Sequence, residues 1–330
     1  MKKPRISFIA AGRMANAMAA ELKQAKQAEL VGVYDPLQDR SAEFLQRHAL
    51  QKVYQSAEEL IADKSLDGIV ICNYGDQHCR SMLDCMAAGH KSIFCEKPAV
   101  RKLEEIDVLR QAAAKSGANI MIGHHRRHAP LNQRIKELLD AKRLGRLRFA
   151  KIHFCNAGYA RQWGDYFASY ARSGGTTLDM ASHYADLLNW FFGRPKTVSA
   201  RAVMFERSLS ADEPPCDYVS ATISYDKGFF CGLESSYQRY GQTYDRIEIY
   251  GDKHTLVSDF NTLQLYNAEE KTELRIIDNQ LTRLRQAQAF CNMILDGKPR
   301  QVTLDEGLEA ARLALAMLES SESEGKLLRF

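Results

Sequence analysis

From residue 5 the chain alternates short apolar runs with longer amphipathic stretches: "RISFIA", a helix to about residue 25, "ELVGVYD", a helix through residue 48, then "LDGIVIC". Strand-length runs separated by helical stretches predict parallel βαβ units. The alternation continues with a helix over 76–88, the strand "KSIFCE", a helix over 102–116 and the strand "NIMIG", which ends at Gly123. These runs are nearly continuous in apolar residues, as strands covered on both faces of a parallel sheet should be.

The pattern changes after "HHRRHAP" and a helix around 131–142. Strands now follow one another: "LRFAKIHFC", "KTVSARAVMF", "DYVSATISY", "GFFCGLESSY", "DRIEIYG" and "HTLVSDF". Alternating strands joined by turns such as "YDKG" predict an antiparallel sheet. One helix, "TTLDMASHYADLLNWFFG", interrupts them and is stopped by Gly193 with Pro195 behind it. Helices over 281–296 and 304–320 close the chain. The change near 123 divides it into residues 1–123 and 124–330.

A length of 330 residues agrees with two domains, and 45% hydrophobic with 26% charged residues is the composition of a globular protein. The net charge of +4 is spread along the chain, with "HHRRH" its densest cluster, which argues against a nucleic-acid partner. The eight cysteines form no CxxC pair and are read as reduced and mostly buried, hence cytoplasmic. No apolar leader follows "MKKPR", and no run approaches the roughly 18 apolar residues of a membrane span, so neither export nor a membrane partner is expected. Adjacent His124 and His125 point in different directions on any regular element and lie beside two arginines, so no metal site is expected either.

"FIAAGRMANAM" has the outline of a dinucleotide-binding loop with Ala10, Gly12 and Ala15 at the three glycine positions. The middle glycine, where a Cβ would meet phosphate, is retained; Ala15 is an accepted packing variant; Ala10 requires a φ compatible with a Cβ, and a negative φ is expected there. The loop follows a strand, opens a helix, and is succeeded by a strand ending in Asp35, 23 residues after Gly12. That carboxylate is placed for a ribose hydroxyl and repels a 2′-phosphate, which favours NAD, whereas Arg13 and Arg40 are cations that suit NADP.

Two polar groupings stand out. "CEKPAV" puts Glu96, Lys97 and Pro98 just beyond a buried strand, where ligands of open α/β sheets bind; the competing reading is a solvated strand-end lysine. Asp179 and His183 are four apart on one helical face, so the imidazole can take a hydroxyl proton with the carboxylate orienting it. Alternatively, they are a surface pair that complements the helix dipole.

Taken together, "AAGRMA", "YDP", "NYGDQH", "CEKP", "GHHRRHAP", "WGDY", "SGGTTLDMASHYADLLNWFFG" and the terminal "TLDEGLEAARLALAMLESSESEGKLL" resemble, in order and spacing, the glucose-fructose oxidoreductase and inositol dehydrogenase (Gfo/Idh/MocA) family. The resemblance implies an α/β fold, with an N-terminal Rossmann domain for NAD(P) and a C-terminal α/β domain whose open, mainly antiparallel sheet joins subunits into a homodimer or homotetramer. It also implies an oxidoreductase acting on the secondary hydroxyl carbon of a sugar, polyol, sugar acid or nucleotide sugar. Lys97, Asp179 and His183 would be catalytic, with His183 the acid/base, Lys97 stabilising alkoxide, and Asp179 holding a neighbouring hydroxyl or the histidine. Ala11, Gly12, Arg13, Met14, Asp35, Asn73, Tyr74, His78 and Glu96 would bind the cofactor.

The chain departs from the family at Ala10, at "NYG" where a TPN-like triplet is usual, and at His124 and His125 in place of the usual amides. Substrate contacts are expected from Lys97, His125, Arg126, Trp163, Asp179 and His183, with Tyr159, Arg161 and Tyr237 as further lining candidates; arginines there suit a carboxylate or phosphate. A non-catalytic dinucleotide-binding regulator on the same fold is the rival reading.

Overall fold

The computed structural model of the chain describes residues 3–156, 173–204, 217–237, 243–259, 261–269, 271–275 and 281–330. Within these the helices are α1 (Arg13–Ala25), α2 (Gln38–His48), α3 (Ala57–Ala62), α4 (His78–Ala87), α5 (Glu104–Ser116), α6 (Pro130–Asp140), α7 (Ser182–Phe192), α8 (Thr282–Asp296) and α9 (Leu304–Glu322). The chain divides into two units, Met1–His125 with Leu281–Leu308, and Arg126–Gln280 with Glu309–Phe330.

In the first unit β1 (Arg5–Ile9), β2 (Glu29–Tyr34), β3 (Lys52–Val53), β4 (Gly68–Ile71), β5 (Ser92–Cys95) and β6 (Asn119–Ile122) form a sheet of order β3-β2-β1-β4-β5-β6. Every neighbouring pair is parallel. All four residues of β4 and of β5 are buried, which explains their unbroken apolar sequence. The order reverses between β1 and β4, so crossovers leave on opposite sides and open a crevice at the carboxyl ends of those strands.

Residues 281–308 depart from the sequence-based division, because they fold with the first unit. Phe290 and Met293 of α8 share a core with Phe8, Val70 and Phe94 of the sheet and Met18 of α1. At Gly68 a Cβ would stand 2.7 Å from Ile294 Cδ1, so the helix lies on β4 at a place where only hydrogen fits.

In the second unit β7 (Leu147–Cys155), β8 (Thr197–Val203), β9 (Tyr218–Ser224), β10 (Phe230–Ser236), β11 (Tyr244–Gly251), β12 (Thr255–Ser258), β13 (Thr262–Tyr266), β14 (Lys271–Arg275) and β15 (Leu328–Arg329) are ordered β14-β13-β12-β11-β7-β10-β9-β8-β15. Only the β7–β10 pair among them is parallel. Burial alternates along β7 and β9, so one face packs on helices, with Ile135, Ile152, Tyr184, Leu187, Leu233 and Met317 in the core. On the other face Phe149 stacks between Phe230 (6.1 Å) and Tyr250 (4.2 Å), and Phe230 is exposed.

One buried ion pair anchors α7. Arg127 Nη2 lies 2.7 Å from Asp186 Oδ1, with side-chain exposures of 2% and 0%, and Arg127 Nε donates to Oδ2 of the same carboxylate at 2.9 Å. The guanidinium also faces the Trp190 ring at 5.5 Å, one turn further along α7. Removing one partner leaves an uncompensated charge in a dry interior, whereas replacing both does not. Asp186→Asn should therefore lower the unfolding free energy by about 3–5 kcal/mol, and the double change Arg127→Met with Asp186→Leu should recover most of that loss. Urea titrations of the two variants check this; a single-variant loss below about 1 kcal/mol would show that the pair carries no such load.

Candidate functional site

The turn from β1 into α1 is held by its own backbone. Ala10 N–H donates to the Tyr34 carbonyl at 2.7 Å, continuing the β1–β2 ladder, and the next N–H, of Ala11, turns to the Asp35 carboxylate at 2.9 Å. Two such constraints on successive residues over-determine the backbone, and Ala10 adopts φ 82°. The negative φ expected from its Cβ is thus corrected: the left-handed conformation is kept, at a cost of about 1–2 kcal/mol for an L-residue.

Gly12 has a different reason to lack a side chain. Its φ of −71° and ψ of −171° suit any residue, and a Cβ built there meets nothing within 4 Å. The glycine answers no internal need, and it faces open space at the N-terminus of α1. That terminus has no side-chain cap and no acidic residue in its first turn, which begins with exposed Arg13 and half-buried Met14. Uncapped N–H groups at the positive end of a helix suit a pyrophosphate. Asp35 is buried, and it accepts from Ala11 N and Leu37 N while keeping lone pairs for a ribose hydroxyl.

The remaining cofactor candidates and the other polar residues singled out in this unit also lie just past the carboxyl ends of strands. Asn73 and Tyr74 follow β4, Glu96 and Lys97 follow β5, and His124 and His125 follow β6. Asn73 Nδ2 donates to Ser81 Oγ at 2.8 Å, and Tyr74 is exposed. His78 differs from its expected role. It is 1% exposed, with Nδ1 2.7 Å from the Pro98 carbonyl and Nε2 3.1 Å from the Asn73 carbonyl. Both ring nitrogens face backbone carbonyls, and the single N–H of the neutral ring donates to one of them, linking the imidazole to the loops after β4 and β5. Burial lowers its pKa.

Lys97 is half-buried between buried Glu96 and Pro98, and the Lys97–Pro98 peptide is cis. It is not the fully solvated lysine of the competing reading. Burial pushes the Glu96 carboxyl above its usual range, with Lys97, Arg283 and Arg13 pulling the other way. Gly123 makes room for that carboxyl, since a Cβ there would lie 2.8 Å from Glu96 Oε2.

In the second unit Asp179 sits in a π-helical turn, Thr177–Ala181, that leads directly into α7 and His183. Such turns inside helices occur often at functional sites. Asp179 is 5% and His183 4% exposed, which removes the reading of a surface pair complementing a dipole. The Tyr237 hydroxyl donates to Asp179 Oδ2 at 2.6 Å, so Tyr237, expected only as lining, holds the carboxylate. Arg126 is committed elsewhere: its guanidinium pairs with Asp245 at 2.8 Å over the Tyr184 ring, and Tyr184 donates to the same carboxylate at 2.7 Å. With its charge balanced, it is a weak candidate for a substrate anion. His125 is half-buried and opens a short turn, His125–His128. Tyr159, Arg161 and Trp163 lie outside the described residues. Among the described residues no three His, Cys, Asp or Glu side chains gather as a metal site, and no helix is long and apolar enough to cross a membrane.

Residues 5–124 match the oxidoreductase family with an NAD-binding Rossmann fold, and residues 132–257 match the GFO/IDH/MocA C-terminal domain. The chain belongs to the GFO/IDH/MocA oxidoreductase family. It is 26% identical over 335 residues to myo-inositol 2-dehydrogenase of Thermotoga maritima, covering 97% of each chain. It is 30% identical over 196 residues to glucose-6-phosphate 3-dehydrogenase of Bacillus subtilis, covering 58% of this chain and 54% of that one. Among solved structures it resembles levoglucosan dehydrogenase in complex with NADH and levoglucosan, with a TM-score of 0.91, 17% identity and 99% of each chain covered. The family's Rossmann domain is NAD-binding, as the open cradle at Gly12 anticipates.

The two loop positions should separate in experiment. Gly12→Val should leave the melting temperature of the nucleotide-free protein within about 2 °C, yet weaken NADH binding at least tenfold, because the side chain fills only ligand space. Ala10→Val should do the reverse first, destabilising the fold by about 2 kcal/mol, because a β-branched residue tolerates positive φ poorly. Thermal melts with NADH fluorescence titrations distinguish them, and a Gly12→Val protein that binds NADH normally would contradict the cradle.

Proposed function

We propose that this chain is an NAD-dependent dehydrogenase or reductase acting on a secondary hydroxyl carbon of a sugar, polyol, sugar acid or nucleotide sugar. The observation that carries the reading is the buried Asp179 and His183, with the Tyr237 hydroxyl fixed on Asp179, in a chain whose Rossmann loop is open for pyrophosphate. Burying an imidazole and a carboxylate in one helical segment is costly without a use, and such groups gather where protons are moved. A regulator that only senses a dinucleotide has no need of them. The named relatives act on inositol and on glucose 6-phosphate, both polyhydroxylated compounds.

The cofactor would be held by the N–H groups of Gly12, Arg13 and Met14 in the turn that Ala11 opens, by Asp35 at a ribose, and by the loop of Asn73 and Tyr74. When bound, NAD supplies the hydride acceptor or donor at its nicotinamide. His183 takes the proton of the substrate hydroxyl, or returns it in the reverse direction. Lys97, by the family resemblance, would stabilise a substrate oxygen as it becomes an alkoxide. Asp179, oriented by Tyr237, accepts from a neighbouring hydroxyl. Asp35, buried and facing Ala11, favours NAD over a 2′-phosphorylated cofactor.

Two further properties belong to this reading. Cys72, Cys79, Cys85, Cys95, Cys231 and Cys291 form no disulfides, which supports a reducing, cytoplasmic setting. The outer face of the second unit's sheet, with its Phe230–Phe149–Tyr250 stack, supports a homodimer or homotetramer formed through that face. Phe230→Arg should then shift the mass measured by light scattering towards the monomer, and an unchanged mass would move the interface elsewhere.

Activity is tested by titrating NADH and NADPH and then screening polyols and sugar acids at the nicotinamide absorbance. His183→Ala should lower kcat by about 10²–10⁴-fold with NADH affinity retained, and Lys97→Met should lower kcat/KM by at least about 10²-fold. Full turnover in both variants would overturn the assigned roles.

A further inference from the structure

Asn16 lies one turn into α1, and its side chain reaches back to the loop. Nδ2 donates to the carbonyls of Ala11 and Gly12, each at 3.0 Å, while the Asn16 backbone N–H donates to the Gly12 carbonyl at 3.0 Å. Oδ1 accepts from His48 Nε2 at 2.8 Å and from Arg47 Nη1 at 3.2 Å, both at the C-terminal end of α2. The two carbonyls and the Arg47 guanidinium settle which way the amide faces, because the reversed amide would set an oxygen against two carbonyls and its NH₂ against a donor; His48 then donates through Nε2–H. His48 is itself fixed: its ring lies 4.6 Å from Phe44, which lies 5.2 Å from Phe8 of β1.

Fixing those two carbonyls also orients two donors. In a trans peptide the C=O and N–H point in opposite directions. The Ala11 carbonyl shares its peptide with Gly12 N–H, and the Gly12 carbonyl shares its peptide with Arg13 N–H. Drawing both carbonyls towards Asn16 therefore directs both N–H groups away from it, out of the turn at the N-terminus of α1. The loop lacks the glycine that usually gives its first position freedom, and Ala10 is held at φ 82°. The side-chain amide supplies by hydrogen bonding the shape that backbone freedom supplies elsewhere. An asparagine this early in a helix is otherwise a poor choice, since its propensity is low and its amide competes with the backbone.

We propose that Asn16, oriented by His48, is the positioning residue that shapes this loop for a pyrophosphate. The inference rests on the NAD-dependent reading above, and the measurement separates the two. NADH fluorescence titration and thermal melts are run on the full chain carrying Asn16→Ala, Asn16→Leu, His48→Leu or His48→Gln, the last keeping a side-chain donor towards Asn16. Either Asn16 change should raise the NADH dissociation constant about tenfold, the loss of one to two aligned charge-assisted hydrogen bonds. His48→Leu should follow by several-fold and His48→Gln should restore most of the affinity. In turnover the loss should fall on KM for the cofactor rather than on kcat. Asn16 variants that melt lower but bind NADH within twofold of the parent would overturn the proposal, since the residue would then only pack. A parent protein that binds neither NADH nor NADPH would overturn the wider reading, and this one with it.

Discussion

Charge buried against charge decides what α7 can be. Asp186 is fully buried beneath Arg127, and the same helix brings Ser182 and His183 into the interior while Tyr184, Leu187 and Leu188 join the hydrophobic core. A helix apolar on every side could slide or rotate in its socket at little cost. A bidentate pair cannot, because a small displacement breaks both hydrogen bonds in a low-dielectric medium. His183 is one turn from that pair, and the π-helical turn carrying Asp179 precedes it, so the anchor sets the frame in which both side chains lie.

The first unit solves a matching problem with backbone rather than charge. Four of its strands, β1, β2, β4 and β5, lead into residues proposed to meet the cofactor, because the strands are parallel and every carboxyl end opens on one edge. The loops there are tied to one another by short bonds, Ala10 to Tyr34 and Ala11 to Asp35, and by His78, whose ring nitrogens face the Asn73 and Pro98 carbonyls. Such ties cost little in a rigid α/β core and keep the donors around an anionic ligand from reorganising when it binds.

Much of this was legible in the sequence, where the physics is local. Apolar runs and helical periodicity gave the parallel and the mainly antiparallel sheets, and Gly193 gave the end of α7. The short strands β3 and β15, of two residues each, carry too little pattern to read. The return of α8 to the first unit is illegible for another reason: its fit depends on the absent side chain of Gly68, far away in sequence, at the closest approach of Ile294. Arg127 with Asp186 and Asn16 with His48 escaped because each pair joins separate elements by geometry alone. The positive φ of Ala10 is illegible in the sequence because the two hydrogen bonds that overrule its steric preference reach Tyr34 and Asp35, more than twenty residues on.

Two glycines show how stability and function separate in this chain. Gly123 is needed by the fold, because a side chain there would strike the buried Glu96 carboxyl, whose own burial already disfavours its charge. Gly12 is needed by nothing inside the protein. A position that the fold leaves indifferent, bordered by an uncapped helix terminus and by a loop braced at Ala10, Ala11 and Asn16, is shaped by what lies outside the chain. Ala10 completes the argument from the other side, since its strained conformation persists only because the surrounding bonds hold it there. Backbone strain at one end of the turn and open space at the other are what a loop built around a phosphate group requires.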